Sequence, residues 1–363
     1  MTLVDQEQAL RALLDRAVSE GVTPGLVAVA ANGGEGGLRF VHAAGRLRYD
    51  EDAFAVEPDT IYDLASLTKA LSTTLLAAVA VCEGALSLDE APWPSWPGVT
   101  VAHALRHDGG LVAWSPFYQR ALDGRVVGLP AGGRVVVDAV LDTPPAAPPG
   151  AATVYSDLGF IALGALLEER LAGRLDHLFA RAAREAWGES GLRYVPLFEE
   201  GYHPAYSRVA PTEECPWRAR VVQGQVHDDN AFAMGGVAGH AGLFGSAADV
   251  EQAARHLLDA TRSSDGGLRG RLRAFALAEG TRGLGFDRAT KDGTTGGALS
   301  ETAFGHLGFT GTSMWMDPEG PGREGSLYVL LTNRVHPSRD GQGIRELRVG
   351  FHRAARALLD EAA

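Results

Sequence analysis

Apolar residues within positions 5–20 recur at helical spacing: Leu10, Leu13, Leu14, Ala17 and Val18 share one face, and acids stand at the start. That spacing predicts an amphipathic helix. Two strand-like runs follow, 26–31 and 38–44, joined across Asn32-Gly33 and a glycine-rich loop, which is a hairpin signal. Leu71, Leu75, Leu76 and Val79 then mark a helix that ends near Gly84. Shorter helical patterns occupy 100–106, 134–142 and 158–172, the last preceded by the turn-rich, proline-rich stretch 144–150. Residues 193–234 read as irregular, rich in Pro, His and acids. The glycine-rich segment 236–244 opens a helix at 247–261, and strand character returns at 304–309, 312–317 and 326–332. Leu347, Phe351, Ala354 and Leu358 place a final helix at the end of the chain. Strands at both ends with helices between them predict an α/β (α+β) fold: one antiparallel sheet built from both termini and flanked by helices. The middle, 85–235, becomes a mainly helical insertion between 1–84 and 236–363 of a single unit. No internal repeat is present.

Length and composition narrow the function. The chain has 363 residues, 45% hydrophobic and 21% charged, which is the profile of a globular protein with ample core. Its formal net charge of −12 and the lack of any basic run argue against nucleic acid or an anionic membrane as a partner. Two cysteines cannot form a disulfide framework, and Cys82, inside an apolar helical run, reads as a buried, inert thiol. Residues 1–7 carry neither a basic region nor an apolar core of the exported type, so a cytoplasmic setting is expected.

The chemistry concentrates where the first long apolar helix begins. Ser66-x-x-Lys69 sets a hydroxyl and an amine three residues apart, on one face of a helix. Only two of the 33 basic residues are lysines, Lys69 and Lys291. A chain that otherwise uses Arg has therefore placed, beside that serine, the one cation that can give up its proton. A serine at a helix start also faces unpaired N–H groups and the positive end of the helix dipole, which favour a developing anion. Two further segments complete a serine acyl-transfer site. Tyr155, in Tyr155-Ser156-Asp157 before an apolar helix, can act as general base when paired with Lys69. Gly305-His306-Leu307-Gly308-Phe309 supplies backbone N–H groups that, with that of Ser66, can hold an oxyanion; its glycines are read as allowing a substrate backbone to come close.

These three segments, in this order, resemble the motifs of the serine β-lactamase and penicillin-binding-protein-like superfamily, in its class C and esterase branch. His107-Asp108-Gly109-Gly110-Leu111, Gly239-His240-Ala241-Gly242-Leu243-Phe244 and Gly283-Leu284-Gly285-Phe286 extend the likeness over nearly the whole chain. The resemblance implies a β-lactamase/transpeptidase-like fold and an acyl-enzyme formed at Ser66 with Lys69 and Tyr155. It further implies an oxyanion hole from the N–H groups of Ser66 and Phe309, and substrate contacts at Asp157, His306, Leu307 and Gly308. Two residues depart from the branch: Asp157 stands where Asn is usual, and Leu307 where Thr is usual. Both disfavour penicillin-type substrates, since a carboxylate donates no hydrogen bond to an acylamino carbonyl and Leu lacks a hydroxyl for a substrate carboxylate.

The expectation is a serine hydrolase of small-molecule esters or amides, esterase or peptidase-like, with no cofactor and no metal. The alternatives are a β-lactamase or D-Ala-D-Ala carboxypeptidase-type activity and, from another class, a non-catalytic homologue used for binding or assembly. His227-Asp228-Asp229-Asn230 lacks the companions of a metal motif and reads as a solvated loop, with a place along the substrate cleft open to it. His240 reads as a loop-fixing hydrogen bonder. Arg334, in Asn333-Arg334-Val335-His336, fits either a substrate acid or a structural ion pair.

Overall fold

The computed structural model describes residues 1–34, 36–199 and 205–363. Helix α1 (Leu3–Ser19) starts with a reciprocal capping box between Thr2 and Asp5, which satisfies two of the N–H groups a helix start leaves free. It is followed by β1 (Gly25–Asn32) and β2 (Arg39–Gly45), the expected hairpin, paired from Gly25↔Gly45 to Ala31↔Arg39. Three strands near the C-terminus, β4 (Phe304–Leu307), β5 (Ser313–Asp317) and β6 (Ser326–Thr332), join them, with β3 (Asp287–Arg288) at the edge. The sheet is antiparallel throughout, in the order β2-β1-β6-β5-β4-β3. The β1–β6 pair joins the two ends of the chain, with Leu26 opposite Thr332 and Val29 opposite Val329.

Strand β1 is buried over its full length because both faces are covered. Successive side chains of a strand point to opposite faces. Leu26, Ala28 and Ala30 enter a core shared with Leu10 and Leu14 of α1 and with Phe351 and Leu358 of the final helix, α5 (Ile344–Glu361). Val27, Val29 and Ala31 enter the larger core on the opposite face. There they join Leu75 and Leu76 of α2 (Thr74–Cys82) and Val250, Leu257 and Leu258 of α4 (Ala247–Ala260). Truncating a fully buried side chain such as Phe351 to Ala would cost about 3–5 kcal/mol.

The middle of the chain supplies α3 (Asp157–Arg170), which carries an apolar surface all round and is accordingly buried. It also supplies shorter helices at Val101–Arg106 and Pro130–Leu141, as the periodicity predicts. Helices at Tyr118–Asp123, Leu175–Trp187 and Leu268–Ala276 are present as well, although the sequence reading did not single them out. The segment read as irregular holds a small hairpin, Glu214–Cys215 with Arg220–Val221, and a five-residue helix, Asp229–Ala233. Cys82 is exposed, contrary to expectation, because it ends α2 while Leu75, Leu76, Ala77, Ala78 and Ala80 form the buried part. Among the described residues, no helix is long and apolar enough to cross a membrane.

Candidate active site

The approach to Ser66 is pinned from several sides. Tyr62–Asp63 pairs with Leu243–Gly245, which in turn pairs with Arg193–Tyr194. The buried Asp63 carboxylate accepts the N–H groups of Ala65 (2.8 Å) and His227 (2.6 Å), while Thr310 and Thr312 donate to the carbonyls of Asp63 and Leu64. Burial raises the Asp63 pKa, and those two N–H bonds oppose the rise. Ala65 is forced to φ 47°, a left-handed conformation that costs a non-glycine residue about 1–2 kcal/mol. Ser66 therefore sits in a tight turn before the helix rather than within its first turn. Its N–H, like that of Phe309, has no hydrogen-bond partner among the described residues.

The helix then widens. Lys69–Thr73 forms a π-turn, a local expansion common at functional sites, and both the N–H and the hydroxyl of Thr74 bond to the Lys69 carbonyl. The Gly283–Phe286 stretch accounts for its second glycine here. A Cβ on Gly285, whose φ is +80°, would stand 1.8 Å from Thr74 Oγ1, so only glycine lets this chain lie against the widened turn.

Lys69 is fully buried. Its Nζ lies 2.9 Å from Ser66 Oγ, 3.0 Å from the His240 carbonyl and 2.7 Å from Asp157 Oδ1. Burial alone would drive its proton off, but the nearby Asp157 carboxylate and Tyr155 phenol outweigh burial and hold the pKa above the ordinary lysine value. Asp157 is half-buried at the start of α3, with Ser156 as the cap that accepts the Leu158 N–H. The carboxylate read as a substrate contact is thus taken up by Lys69.

Tyr155 is set by its neighbours. His107, in a left-handed conformation at the end of Val101–Arg106, accepts the Ser156 N–H on Nδ1 (3.0 Å), and its ring lies 4.5 Å from that of Tyr155. The His306 ring is 5.9 Å away, the Arg282 guanidinium 5.5 Å from the ring centre and Lys69 Nζ 5.0 Å. The outer part of Tyr155 is open, with 38% of the residue exposed, but its hydroxyl reaches down to Lys69 and Ser66, where water is excluded. Burial raises the phenol's pKa, Lys69 opposes this and Asp157 adds to it, so the resting group is a neutral phenol. Burial, aided by Lys69 and Arg282, also drives the His107 and His306 pKa values well below the usual range, leaving both imidazoles neutral.

The cleft these groups line has a volume of about 630 Å³. Leu307 and Gly308 line its wall, and the exposed rings of Trp114 and Phe309 stand at its mouth. Arg334 and Arg348 lie behind the Phe309 strand end. Arg334 Nε donates to the Phe309 carbonyl and Arg348 Nη2 to those of Gly308 and Thr312. Neither pairs with a carboxylate among the described residues. The Arg348 pKa is pulled down to about 10 by burial, with Arg334 adding to it.

The 227–230 segment, read as a solvated loop, is instead largely buried and faces the cleft. Asp229 pairs with Arg218, and Asp228 caps the following short helix while bonding His240 Nε2 at 2.8 Å. Asp157, Asp228 and His240 offer oxygen and nitrogen atoms within 4.8 Å of one another, a spacing that fits a metal. The Lys69 ammonium already occupies that corner, and its charge opposes a second cation there. His107, Arg282 and Arg348 were not picked out from the sequence as site residues. Of these, His107 lay in a motif-like segment and Arg348 in the final helix read from its periodicity, while Arg282 lay just ahead of Gly283-Leu284-Gly285-Phe286.

Comparison with known proteins bears on the fold and the family. The family model described as Beta-lactamase matches residues 10–350. A protein of Escherichia coli (strain K12), provisionally named D-alanyl-D-alanine carboxypeptidase, is 28% identical over 334 residues, covering 80% of this chain and 74% of that one. Among solved structures, EstCE1, a hydrolase with promiscuous acyltransferase activity, superposes with a TM-score of 0.71 at 18% identity, covering 97% of this chain and all of that one. The octameric penicillin-binding protein homologue from Pyrococcus abyssi gives 0.70 at 21% identity, covering 94% and 75%. These two structures establish the shared fold, and the match over residues 10–350 establishes more: the chain belongs to the beta-lactamase family.

Proposed function

We propose that this chain is a serine acyl hydrolase that forms an acyl-enzyme at Ser66 and acts on small esters or peptide amides in preference to β-lactams. The observation that carries the reading is the contact of Ser66 Oγ with the buried Lys69 Nζ at 2.9 Å, beneath the Tyr155 hydroxyl. In the first step the phenolate form of Tyr155 takes the Ser66 proton, and Oγ bonds to the substrate carbonyl carbon. The N–H groups of Ser66 and Phe309 receive the oxyanion, a contribution typically worth a factor of about 10²–10³ per donor. The tetrahedral species collapses as the bond to the leaving group breaks, and Tyr155 returns its proton to that group. Water, giving its proton to Tyr155, then attacks the acyl carbon; the bond to Oγ breaks and Ser66 is reprotonated.

The preference rests on Asp157 and Leu307. The Asp157 carboxylate is committed to Lys69 and offers no donor to an acylamino carbonyl, and Leu307 brings no hydroxyl. A second reading, a carboxypeptidase-type activity like that named for the E. coli relative, is favoured by Arg334 and Arg348, two guanidiniums without an acid partner beside the cleft. A panel of p-nitrophenyl esters, D-amino-acid dipeptides and nitrocefin decides between them, run on wild type and Ser66→Ala with a fluorophosphonate label located by mass spectrometry. The main reading expects label on Ser66 and esters turned over well ahead of nitrocefin. Turnover surviving in Ser66→Ala overturns it, and so does nitrocefin matching the esters. Labelling with no turnover of any substrate would favour the binding homologue.

A further inference from the structure

The corner around Lys69 has a charge balance that the bare Ser-x-x-Lys pattern does not disclose. An ammonium carries three N–H bonds and no acceptor. Lys69 Nζ is hydrogen-bonded to Ser66 Oγ and the His240 carbonyl, lies near the Tyr155 hydroxyl, and sits 2.7 Å from Asp157 Oδ1, an anion only 15% exposed. A neutral amine would leave that carboxylate with no countercharge beside it in a largely buried corner. A half-buried carboxylate at 2.7 Å is therefore a fixed partner for a charged lysine, whereas an amide at position 157 would leave the lysine free to lose its proton.

We propose that Asp157 is a positioning residue that holds Lys69 as an ammonium through the close ion pair between them. Lys69 then orients Ser66 without accepting its proton, and Tyr155 alone receives it. The proposal deepens the reading of Ser66 as nucleophile and assigns the base. It also makes the protein's pH response depend on Asp157. The charged and titratable groups around Lys69 and Tyr155 are Asp157 and Asp228 on the acidic side, His240 bonded to Asp228, Arg282 on the basic side, and His107 and His306, both neutral. Removing the Asp157 charge shifts the balance toward the unprotonated forms of both Lys69 and Tyr155, because a neighbouring anion favours an ammonium and disfavours a phenolate.

The sequence offers a direct probe, since the chain contains only two lysines. Carbon-13 labelling of the lysine side chains gives two Cε resonances, with exposed Lys291 as internal reference and Ser66→Ala or Lys69→Arg to assign the other. In wild-type protein the Lys69 resonance should titrate above that of Lys291, and in Asp157→Asn its midpoint should fall by about one pH unit or more. The rising limb of kcat/KM for a p-nitrophenyl ester should move to lower pH in the same variant. A Lys69 midpoint below that of Lys291 in the wild type overturns the proposal, as does a midpoint or a limb that stays in place in Asp157→Asn. The resonance needs no turnover, and the wild-type comparison needs no variant. An inactive protein whose Lys69 titrates as expected would therefore count against the hydrolase reading and not against the role of Asp157.

Discussion

Gly308 lies against the carbonyl of Leu64, two residues ahead of Ser66: a Cβ on Gly308 would stand 2.7 Å from that oxygen and 2.0 Å from Thr312 Oγ1. Besides lining the cleft, this glycine lets the Phe309 strand end seat on the turn that carries Ser66. Gly308→Ala should push the Phe309 N–H away from that turn. The expected result is a fall in kcat of about 10²–10³, as for loss of an oxyanion donor, with a stability loss of about 1–3 kcal/mol from overpacking. Ester kinetics and thermal melting check both, and a fully active, equally stable variant would refute the seating.

In the proposed mechanism, Tyr155→Phe removes the group that takes the Ser66 proton. Ester kcat should fall by about 10²–10⁴ while KM changes little, because the ring keeps its contacts with His107 and His306. Steady-state kinetics on one ester measure the split. A variant that keeps its kcat would place the base elsewhere.

Arg348→Met takes a cation from beside the cleft and removes its charge-assisted bonds to the carbonyls of Gly308 and Thr312, which keep only their backbone N–H donors. Stability should fall by about 1–3 kcal/mol. If the carboxypeptidase-type reading holds, KM for a D-amino-acid dipeptide with a free carboxylate should rise well beyond that for a neutral ester. Equal changes on both substrates would assign Arg348 to scaffolding alone.

His352 carries a pH prediction of its own. It is fully buried in α5 beside Trp315, Tyr328 and Phe351, with Nδ1 bonded to the Arg348 carbonyl and Nε2 unpartnered. Burial lowers its pKa from the ordinary 6.5 to about 4. Between those values the unfolded chain binds a proton that the folded protein does not, so the contribution is complete above pH 6.5 and is lost as pH falls toward 4. The loss is on the order of 3 kcal/mol, at about 1.4 kcal/mol per pKa unit. Melting temperatures of wild type and His352→Leu across that window should converge toward acid. A parallel decline in the two proteins would show that His352 stays uncharged in the unfolded state or titrates normally when folded.

Much of the fold follows from local pattern. The β1–β2 hairpin, β6, α4 and α5 lie within a residue or a few of where periodicity predicts them, because each presents a simple apolar repeat to one core or, in β1, to two. Cys82 shows the limit of that method: an apolar run says that a helix is buried, but which end residue turns outward depends on what packs beside it.

At the site, the sequence by itself determined the chemical parts: a serine and a rare lysine three residues apart, a tyrosine before an apolar helix, and a glycine-flanked strand end, in a recognisable order. Those features are local, and their spacing is enough to identify them. Only the tertiary structure decided how the parts work on one another. Asp157 lies 88 residues beyond Lys69 in the chain yet 2.7 Å from its Nζ, which turns a presumed substrate contact into the partner of a buried cation. His107 and Arg282 converge on Tyr155 from separate segments, and Gly285 fits against the widened turn after Lys69. Protonation state depends on distance and burial, both of which are set by folding, and no spacing along the chain encodes either one.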